Sequence, residues 1–322
     1  MMLSKQWSAV LSAVLACSFA GHAFAADKQV VVSQGFQSML YLPLYVAMDG
    51  GFFKKAGLEV TKQTAGSPSA ALTAVISGSS DFSMHGPEWT AIAASRGAPV
   101  NVIADVANGA ADWIVTTQDV NFKSVKDLQG QAVVSAMMPT TGTSLFLKLL
   151  KENGMDQSSV KLVQVQQGTE IGPLFAGQVK VGVMSEPNLD RAVAHGMKVV
   201  VGFPKLYGDY TFAAITARKN VDPDAAQRLV NGLQEAIVYM QSNPTAAAAI
   251  AKKEFPTLEP AVVDAAVHRM LTEGVYPKGV EVSKAALQTA MATQIALGNL
   301  KAQPDYSEFV VQKYTRQAMA AK

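Results

Sequence analysis

Strand-like and helix-like patterns alternate along most of this chain, and the alternation limits the folds open to it. Short apolar runs rich in β-branched residues lie at 30–33, 58–63, 100–106, 132–136 and 179–184. Segments with helical spacing, such as 70–76 and 188–195, separate them. A pattern of this kind is typical of α/β proteins, in which helices connect neighbouring strands. We therefore expect an α/β fold with mainly parallel strands.

Residues 1–25 have the pattern of a cleavable export signal. Lys5 provides a positive charge near the N-terminus, and an apolar stretch at 7–20 follows it. Ala23 and Ala25 form the small-x-small pattern that precedes a cleavage site. The sequence therefore predicts a periplasmic protein. A lipid anchor at Cys17, within a loosely matching lipoprotein box, is the alternative.

The cysteine count and the charge exclude several classes of function. Cys17 is the single cysteine, so cleavage leaves no thiol for a disulfide, a zinc site or a nucleophile. Lys and Arg number 27 against 25 Asp and Glu, with no basic block, which predicts no nucleic-acid partner. The sequence contains no Gly-x-Gly, no Walker motif, no Gly-x-Ser-x-Gly and no His-Glu-x-x-His. We therefore expect neither an enzyme nor a bound cofactor or metal.

The most specific pattern in the chain lies at 41–60. This segment contains Pro-Leu-Tyr-Val-Ala, then Gly-Phe-Phe, then Gly-Leu-x-Val, and Gly-x-x-Asp follows at 78–81. The pattern resembles the opening of the nitrate/sulfonate/taurine-type solute-binding proteins of ABC importers, which are related to pyrimidine-precursor-binding proteins. A second likeness lies at 177–187. There Lys180 and Val181 replace the usual Asp-Ala, and Ser185 stands where an aromatic residue is common.

The resemblance implies a two-lobed periplasmic-binding-protein fold, class II-like, with a ligand cleft between lobes joined by a two-segment hinge. The expected limits are 26–117 with 214–322 for lobe one, and 118–213 for lobe two. The implied function is an extracytoplasmic substrate-binding subunit that closes on a small sulfonate or aromatic or organic acid and delivers it to a permease. The implied partners are that ligand and the transmembrane subunits of an ABC permease, with the receptor itself a monomer.

Two alternatives stay open beside this implied function. One is a receptor of the same fold that binds a thiamine-type pyrimidine precursor. The other, in a different class, is a pyrimidine-synthesising enzyme on the same scaffold.

Loops that follow strands and begin helices are the expected positions of the ligand contacts, because ligands of open α/β sheets bind at the carboxyl ends of strands. The loops at 66–69, 85–88 and 139–144 have this form. Their hydroxyls and free N–H groups suit a polar group, although Ser and Thr are also ordinary helix caps. The predicted ligand-binding residues are Phe36, Ser38, Tyr41, Ser67, His85, Glu88, Asn108, Thr140, Thr141, Thr143, Ser144 and Glu186.

Glu186 has the greatest bearing on the charge of the ligand. If Glu186 and Glu88 both face the cleft, they repel an anion and favour amino or ring N–H groups. The other interpretation of Glu186 is a contact with a helix end or the hinge. The aromatic candidates for stacking on a ligand are Phe36, Tyr41, Trp89 and Trp113. The candidate partners for an anion are Arg96, Arg191 and Arg218.

Overall fold

The computed structural model describes residues 27–138 and 140–321. The predicted export signal and Cys17 lie outside these residues. The strands of the described part are β1 (Lys28–Gln34), β2 (Leu58–Thr64), β3 (Phe82–His85), β4 (Val100–Gly109), β5 (Trp113–Thr116), β6 (Ala132–Ala136), β7 (Lys161–Val165), β8 (Val181–Met184), β9 (Lys198–Gly202) and β10 (Asp209–Arg218).

Helices connect these strands and form the C-terminal part of the chain. They are α1 (Leu42–Asp49), α2 (Phe52–Lys55), α3 (Pro68–Ser77), α4 (Pro87–Ser95), α5 (Thr141–Glu152), α6 (Ile171–Phe175), α7 (Asn188–Ala194), α8 (Phe203–Tyr207), α9 (Pro223–Ser242), α10 (Pro244–Glu254), α11 (Pro260–Thr272), α12 (Lys284–Ala296), α13 (Tyr306–Phe309) and α14 (Gln312–Ala320). In the part of the chain that the structure describes, no helix combines the length and the apolar character that a membrane span requires.

The helix starts follow the local signals in the sequence. Ser67 accepts a hydrogen bond from the backbone N–H of Ala70, and Pro68 occupies the first turn of α3. Asp222 caps α9 in the same way, through the N–H groups of Asp224 and Ala225. A capping oxygen satisfies N–H groups that have no partner within the helix, and proline costs nothing there because its missing N–H is not needed.

The strands form two mixed sheets, in which most strands run in one direction, as expected, and one strand runs against them. The first sheet has the order β2-β1-β3-β10-β4, and the second has the order β7-β6-β8-β5-β9. In each five-stranded sheet four strands run in the same direction, and the remaining strand, β10 or β5, runs antiparallel to both of its neighbours. The antiparallel strand is the one that enters from the other sheet. Strand β5 follows β4, the edge strand of the first sheet, and β10 follows β9, the edge strand of the second.

This arrangement is the predicted two-lobed fold. Helices α9, α12 and α14 pack against β4 or β10, so the C-terminal helices cover the first sheet. The strand β5 pairs within the second sheet, whereas the limit at residue 117 places it in lobe one. The first residues of β10, from Asp209, likewise pair with β4 of the first sheet. The lobe limits therefore stay a prediction, and the sheets point to crossings at 110–112 and just before Asp209.

Each lobe has aromatic side chains in its core. Phe82 in β3 and Tyr45 in α1 are buried in the first lobe, and Phe146 in α5 is fully buried in the second. Phe175, on the neighbouring helix α6, is 40% exposed and stacks on His195 with 4.0 Å between ring centroids. Phe146 and Phe175 therefore form a matched pair of a buried and an exposed ring within the second lobe.

We expect Phe146→Ala to lower the free energy of unfolding by about 3–5 kcal/mol, because it removes a buried ring and leaves a cavity in the second lobe. Phe175→Ala is the control, with an expected loss of about 1 kcal/mol or less. Urea unfolding measures both values. Equal losses for the two variants would contradict the assigned core.

Candidate ligand-binding site

The loop after β1 forms the first wall of the site. Phe36 and Tyr41 are buried, and their rings pack with 5.5 Å between centroids at an interplanar angle of 56°. Ser38, which lies between them in the sequence, is also buried. Its hydroxyl accepts a hydrogen bond from the N–H of Leu40 at 3.2 Å and donates one to the carbonyl of Glu186 at 3.1 Å. Since Glu186 follows β8 of the second sheet, this bond joins the two lobes.

His85, at the end of β3, is buried and neutral. Its Nδ1 lies 2.9 Å from the carbonyl oxygen of Gly86, and its Nε2 lies 2.9 Å from Oγ of Ser83. A carbonyl only accepts, so Nδ1 carries the proton and Nε2 accepts from the Ser83 hydroxyl. Burial lowers the pKa of His85 to about 4. Both ring nitrogens are therefore used within the first lobe.

Glu88, in the first turn of α4, is a buried carboxyl that reaches the other lobe. Its Oε1 accepts a hydrogen bond from the hydroxyl of Thr141 at the start of α5. Its Oε2 has no partner among the described residues. Burial raises the pKa of Glu88 to about 7. Burial, with a further contribution from the charge of Glu88, raises the pKa values of Tyr41 and Tyr210.

The hydroxyls at the start of α5 are bonded mainly to one another. Thr143 donates to the carbonyl of Ala136 at 2.7 Å and accepts from Thr140 at 3.0 Å, and Ser135 lies 2.6 Å from it. Ser144 contacts the sulfur of Met138 at 3.9 Å. These bonds fix the start of α5 to the end of β6, and they leave the Thr141 hydroxyl as the one that contacts the first lobe through Glu88.

A very small cavity of about 10 Å³ lies against the start of α5. Its lining contains two carboxylates and no Lys or Arg. The polar residues of this lining are Asp112, Ser135, Thr140, Thr143, Gln167, Glu170 and Ser185.

Asp112 and Glu170 make this cavity acidic. Asp112 lies in the link between β4 and β5 and is 7% exposed. Burial and the nearby charge of Glu170 raise the pKa of Asp112 well above its ordinary value. Glu170 accepts from the N–H of Gly168 at 2.9 Å and from the side-chain amide of Asn188 at 3.2 Å, and burial raises its pKa as well. The arrangement favours groups that donate hydrogen bonds or carry positive charge.

Glu186 lies at the end of β8 in an ion-pair network with α11. Its Oε2 accepts from the N–H of Asp190 at 3.1 Å, and its Oε1 lies 3.0 Å from Nε of Arg269. Nη2 of Arg269 donates to Asp190 at 2.7 Å, and Glu273 lies 3.3 Å from Nη1. The structure thus places the Glu186 carboxylate at a helix start and against an arginine, which is the second of the two interpretations above.

Arg269 connects the lobes. Helix α11 packs on α10, which packs on α1 of the first lobe, and it also packs on α7 of the second. Glu273 of the same region accepts a hydrogen bond from Nε1 of Trp113 at 2.8 Å. Glu186 and Asp190 are almost fully buried, so Arg269 supplies the opposite charge that burial of these carboxylates requires.

The remaining predicted residues lie in other surroundings. Ser67 is partly buried, caps α3 and lies 3.1 Å from Oγ of Ser69. Asn108 lines a separate, open cavity with Asp209 and Tyr276, and its Oδ1 has no partner among the described residues.

The other aromatic and arginine candidates are used within the fold. Trp89 packs against a small cluster around Leu72, and the indole of Trp113 is bonded to Glu273 as described. Arg218 donates to the carbonyl of Ser80 at 2.9 Å, and Arg191 donates to Asn188 at 2.9 Å. Arg96 lines an open surface groove.

Three residues of the site were missed by sequence reasoning. Asp112 had a readable signal, because it is a lone acid in the small-residue link Gly-Ala-Ala between two strands. Glu170 precedes α6 and had only the weak signal of an acid at a helix start. Arg269 had none, because it lies 83 positions from Glu186, in the last turn of a distant helix.

The arrangement does not match a metal centre. Among residues 27–138 and 140–321, no three His, Cys, Asp or Glu side chains are placed to hold a metal ion together. The site is instead a closed, polar contact between two lobes, lined by carboxylates that accept hydrogen bonds.

Comparison with known proteins agrees with this architecture. Residues 39–247 match the model of the family described as NMT1/THI5 like. The chain belongs to this family. A putative binding protein, YtlA, of Bacillus subtilis (strain 168) is 23% identical over 287 residues, covering 84% of this chain and 86% of the relative. A putative thiamine biosynthesis protein of Haemophilus influenzae is 23% identical over 229 residues, covering 70% and 72%.

Solved structures share the fold. The periplasmic aliphatic sulphonate binding protein SsuA from Escherichia coli matches with a TM-score of 0.72 and 17% identity, over 88% of this chain and 92% of that one. The desulfurization enzyme DSZB matches with a TM-score of 0.69 and 12% identity, over 91% and 99%. The predicted resemblance to the sulfonate-type solute-binding proteins is thereby confirmed at the level of family and fold.

The raised pKa of Glu88 predicts a pH dependence of stability. The pKa rises from 4.5 to about 7 on folding, so the contribution of this carboxyl is complete below about pH 4.5 and is lost as the pH rises through about 7. Glu88→Gln does not undergo this loss. We expect its unfolding free energy, relative to wild type, to increase by about 3 kcal/mol between about pH 4.5 and pH 8.

Urea unfolding at the two pH values measures this difference. Glu59→Gln, which changes an exposed carboxylate on β2, is the matched control and should show no such trend. A Glu88→Gln difference that is independent of pH would show that Glu88 titrates normally.

Because the Arg269 network joins the lobes, its loss should both lower the free energy of unfolding and open the lobes. Arg269→Met keeps most of the side-chain length but leaves Glu186 and Asp190 buried without a counter-charge, so we expect a loss of about 3–5 kcal/mol and more open lobes. Unfolding measurements and the radius of gyration from small-angle X-ray scattering report the two effects.

Arg228→Met is the control for this variant. Arg228 forms a surface pair with Asp224, whose side chain is 52% exposed, and such pairs contribute about 1 kcal/mol or less. A loss for Arg269→Met no greater than that for Arg228→Met would rule out the network as a connection between the lobes.

Proposed function

We propose that this protein is the extracytoplasmic substrate-binding subunit of an ABC importer, which captures a small organic solute between its lobes and delivers it to membrane permease subunits. The observation that carries the proposal is the direct contact between strand-end loops of opposite lobes. Glu88 of the first lobe meets Thr141 of the second, and Ser38 meets the backbone of Glu186. The same loops hold most of the predicted ligand contacts.

The fold and the family support this proposal. Two lobes joined by two short crossings can rotate about the crossings and close on a ligand. A periplasmic sulphonate binding protein has the same architecture, and this match supports a receptor function. We infer a monomeric receptor in the periplasm, with no cofactor.

The lining of the site favours a different ligand class from the sulfonate or organic acid that the resemblance implies. Glu88, Asp112 and Glu170 are buried, and the cavity at α5 has no Lys or Arg. An anion brought into this environment would meet no positive side chain to balance its charge. We therefore favour a ligand with amino or ring N–H groups, such as an aminopyrimidine of the thiamine-precursor type. The putative thiamine biosynthesis protein among the relatives supports the same alternative.

An enzyme is the second candidate, since the desulfurization enzyme shares the fold. We propose a receptor rather than an enzyme because the chain's single cysteine lies in the predicted export signal, so it offers no thiol nucleophile after cleavage. His85, the histidine of the site, uses both ring nitrogens in bonds within its own lobe.

Thermal unfolding with matched ligands tests the proposed function. An aminopyrimidine that binds the folded protein, added at 100 times its dissociation constant, should stabilise the protein by about 2.7 kcal/mol. This stabilisation should raise the melting temperature by several degrees. Taurine, nitrate and benzenesulfonate should give no rise. Small-angle scattering of the same samples should show closure only with the binding compound.

Two variants make the thermal experiment specific to the site. Glu88→Gln should reduce the response to the aminopyrimidine, and Glu59→Gln should not. A rise in melting temperature with the sulfonates alone would reject the proposed ligand class. The receptor function would be rejected if no compound raised the melting temperature and native mass spectrometry found no co-purified ligand.

A further inference from the structure

The carboxyl group of Glu88 lies at the contact between the two lobes, where closure keeps it out of water. The residue is 3% exposed. Its Oε1 accepts the hydrogen bond from Thr141 of the second lobe, and its Oε2 has no partner among the described residues. Separation of the lobes breaks the bond to Thr141 and opens this side of the carboxyl to water. Opening therefore changes the solvation of Glu88.

Gly86 allows the carboxyl to lie in this position. Gly86 directly precedes α4, and a Cβ atom at residue 86 would lie 2.3 Å from Oε2 of Glu88 and 2.6 Å from its Cδ. The Glu88 side chain therefore folds back over the start of its own helix, and any other residue at 86 would displace it. The φ angle of Gly86 is −59°, which any residue adopts, so the absence of a Cβ is what this position needs from glycine.

No cation among the described residues balances the charge that an ionised Glu88 would carry. Burial is the largest effect on its pKa and outweighs the hydrogen bonds from Thr141 and from its own backbone N–H, which act in the opposite direction. The charge of Glu88 reaches the phenols of Tyr41 and Tyr210, and His85, just before α4, is neutral. The titratable residues on the elements packed against α4, and on α5, are Asp105, Asp209, Tyr210, Arg218, Lys284, Lys148, Lys151 and Glu152.

A buried carboxyl without a counter-charge is more stable in its neutral form, whereas a solvated carboxyl ionises readily. Closure of the lobes therefore binds a proton, and opening at neutral pH releases it. We propose that Glu88 is a pH-sensitive latch between the lobes: its neutral carboxyl holds the ligand-free protein closed, and ionisation of this carboxyl favours the open form. The proposal goes beyond the receptor function, because it concerns the lobes without a ligand.

The direction of the pH effect follows from the two environments of Glu88. Its pKa is about 7 in the closed protein and has the ordinary value of 4.5 when the carboxyl is solvated. The contribution of Glu88 to closure is therefore complete below about pH 4.5 and is lost as the pH rises through about 7. We expect the ratio of closed to open molecules to fall on the order of tenfold between about pH 5.5 and pH 8.5.

Single-molecule fluorescence energy transfer between two dyes, one on each lobe, measures this ratio in the ligand-free protein. Strands β2 and β7 are the edges of the two sheets opposite β4 and β9, from which the crossings start, so the distance between them reports opening. Gln63→Cys in β2 and Gln166→Cys after β7 replace exposed residues and provide the attachment points. Cys17, the single native cysteine, is absent from protein cleaved after Ala25.

Glu88→Gln should remove most of the pH dependence. The amide keeps an oxygen for the Thr141 hydroxyl and does not ionise, so the ratio of closed to open molecules should stay near the acidic wild-type value at both pH values. Gly86→Ala keeps the carboxyl but displaces it, and it should lower the ratio at pH 5.5. Glu59→Gln, which changes an exposed carboxylate on β2, is the matched control and should keep the wild-type pH dependence.

Each contrary result overturns the proposal. These results are a wild-type ratio that does not fall as the pH rises, a pH dependence of Glu88→Gln equal to that of wild type, and a Gly86→Ala ratio equal to that of wild type at pH 5.5. An undiminished pH dependence in Glu88→Gln would assign the effect to other buried acids, such as Asp112, Glu170 or Glu186. Failure of the latch leaves the receptor function intact, because the thermal experiment tests ligand binding at a single pH. If no compound binds, the receptor function fails, whereas the lobe equilibrium is still measured.

Discussion

The exchange of one strand between the two sheets is the constraint on which the rest of this structure depends. Strand β5 leaves the edge strand of the first sheet and enters the second, and β10 makes the reverse crossing. The first link, 110–112, is three residues long. A link of this length holds the two sheets side by side, and the loops after β1, β3, β6 and β8 then face each other across the gap. The link itself carries Asp112, so the hinge and the site share a residue.

Buried carboxylates give this junction its chemical character. Glu186 and Asp190 are balanced by Arg269, and their charges therefore contribute to the contact between lobes. Glu88 and Asp112 have no such partner among the residues that the structure describes, and burial raises the pKa of each. The difference separates two roles. Glu186 and Asp190 connect the lobes through their charges, and Glu88 connects them through a hydrogen bond from the Thr141 hydroxyl.

Much of the fold was predictable because it depends on local sequence. Strand β6 was expected at 132–136, and it lies there. Helix α9 begins after Asp222 because proline and a capping carboxylate mark the start. The direction of β5 and β10 was not predictable in this way, since an apolar run of β-branched residues has the same appearance in a parallel and an antiparallel pair. The site was partly predictable for a related reason: Glu88 and Thr141 follow strands, whereas their contact joins residues 53 positions apart.

The sequence by itself determined the alternating α/β architecture, the helix starts, the family and the loops that carry the site, because each depends on periodicity, caps or short motifs within a few residues. Only the tertiary structure decided which acids are paired. Glu186 and Asp112 are both single acids beside strands in the sequence. One meets an arginine from a distant helix, and the other meets a glycine and a cavity. The charge of a buried carboxyl depends on neighbours brought together by folding, and no local pattern records them.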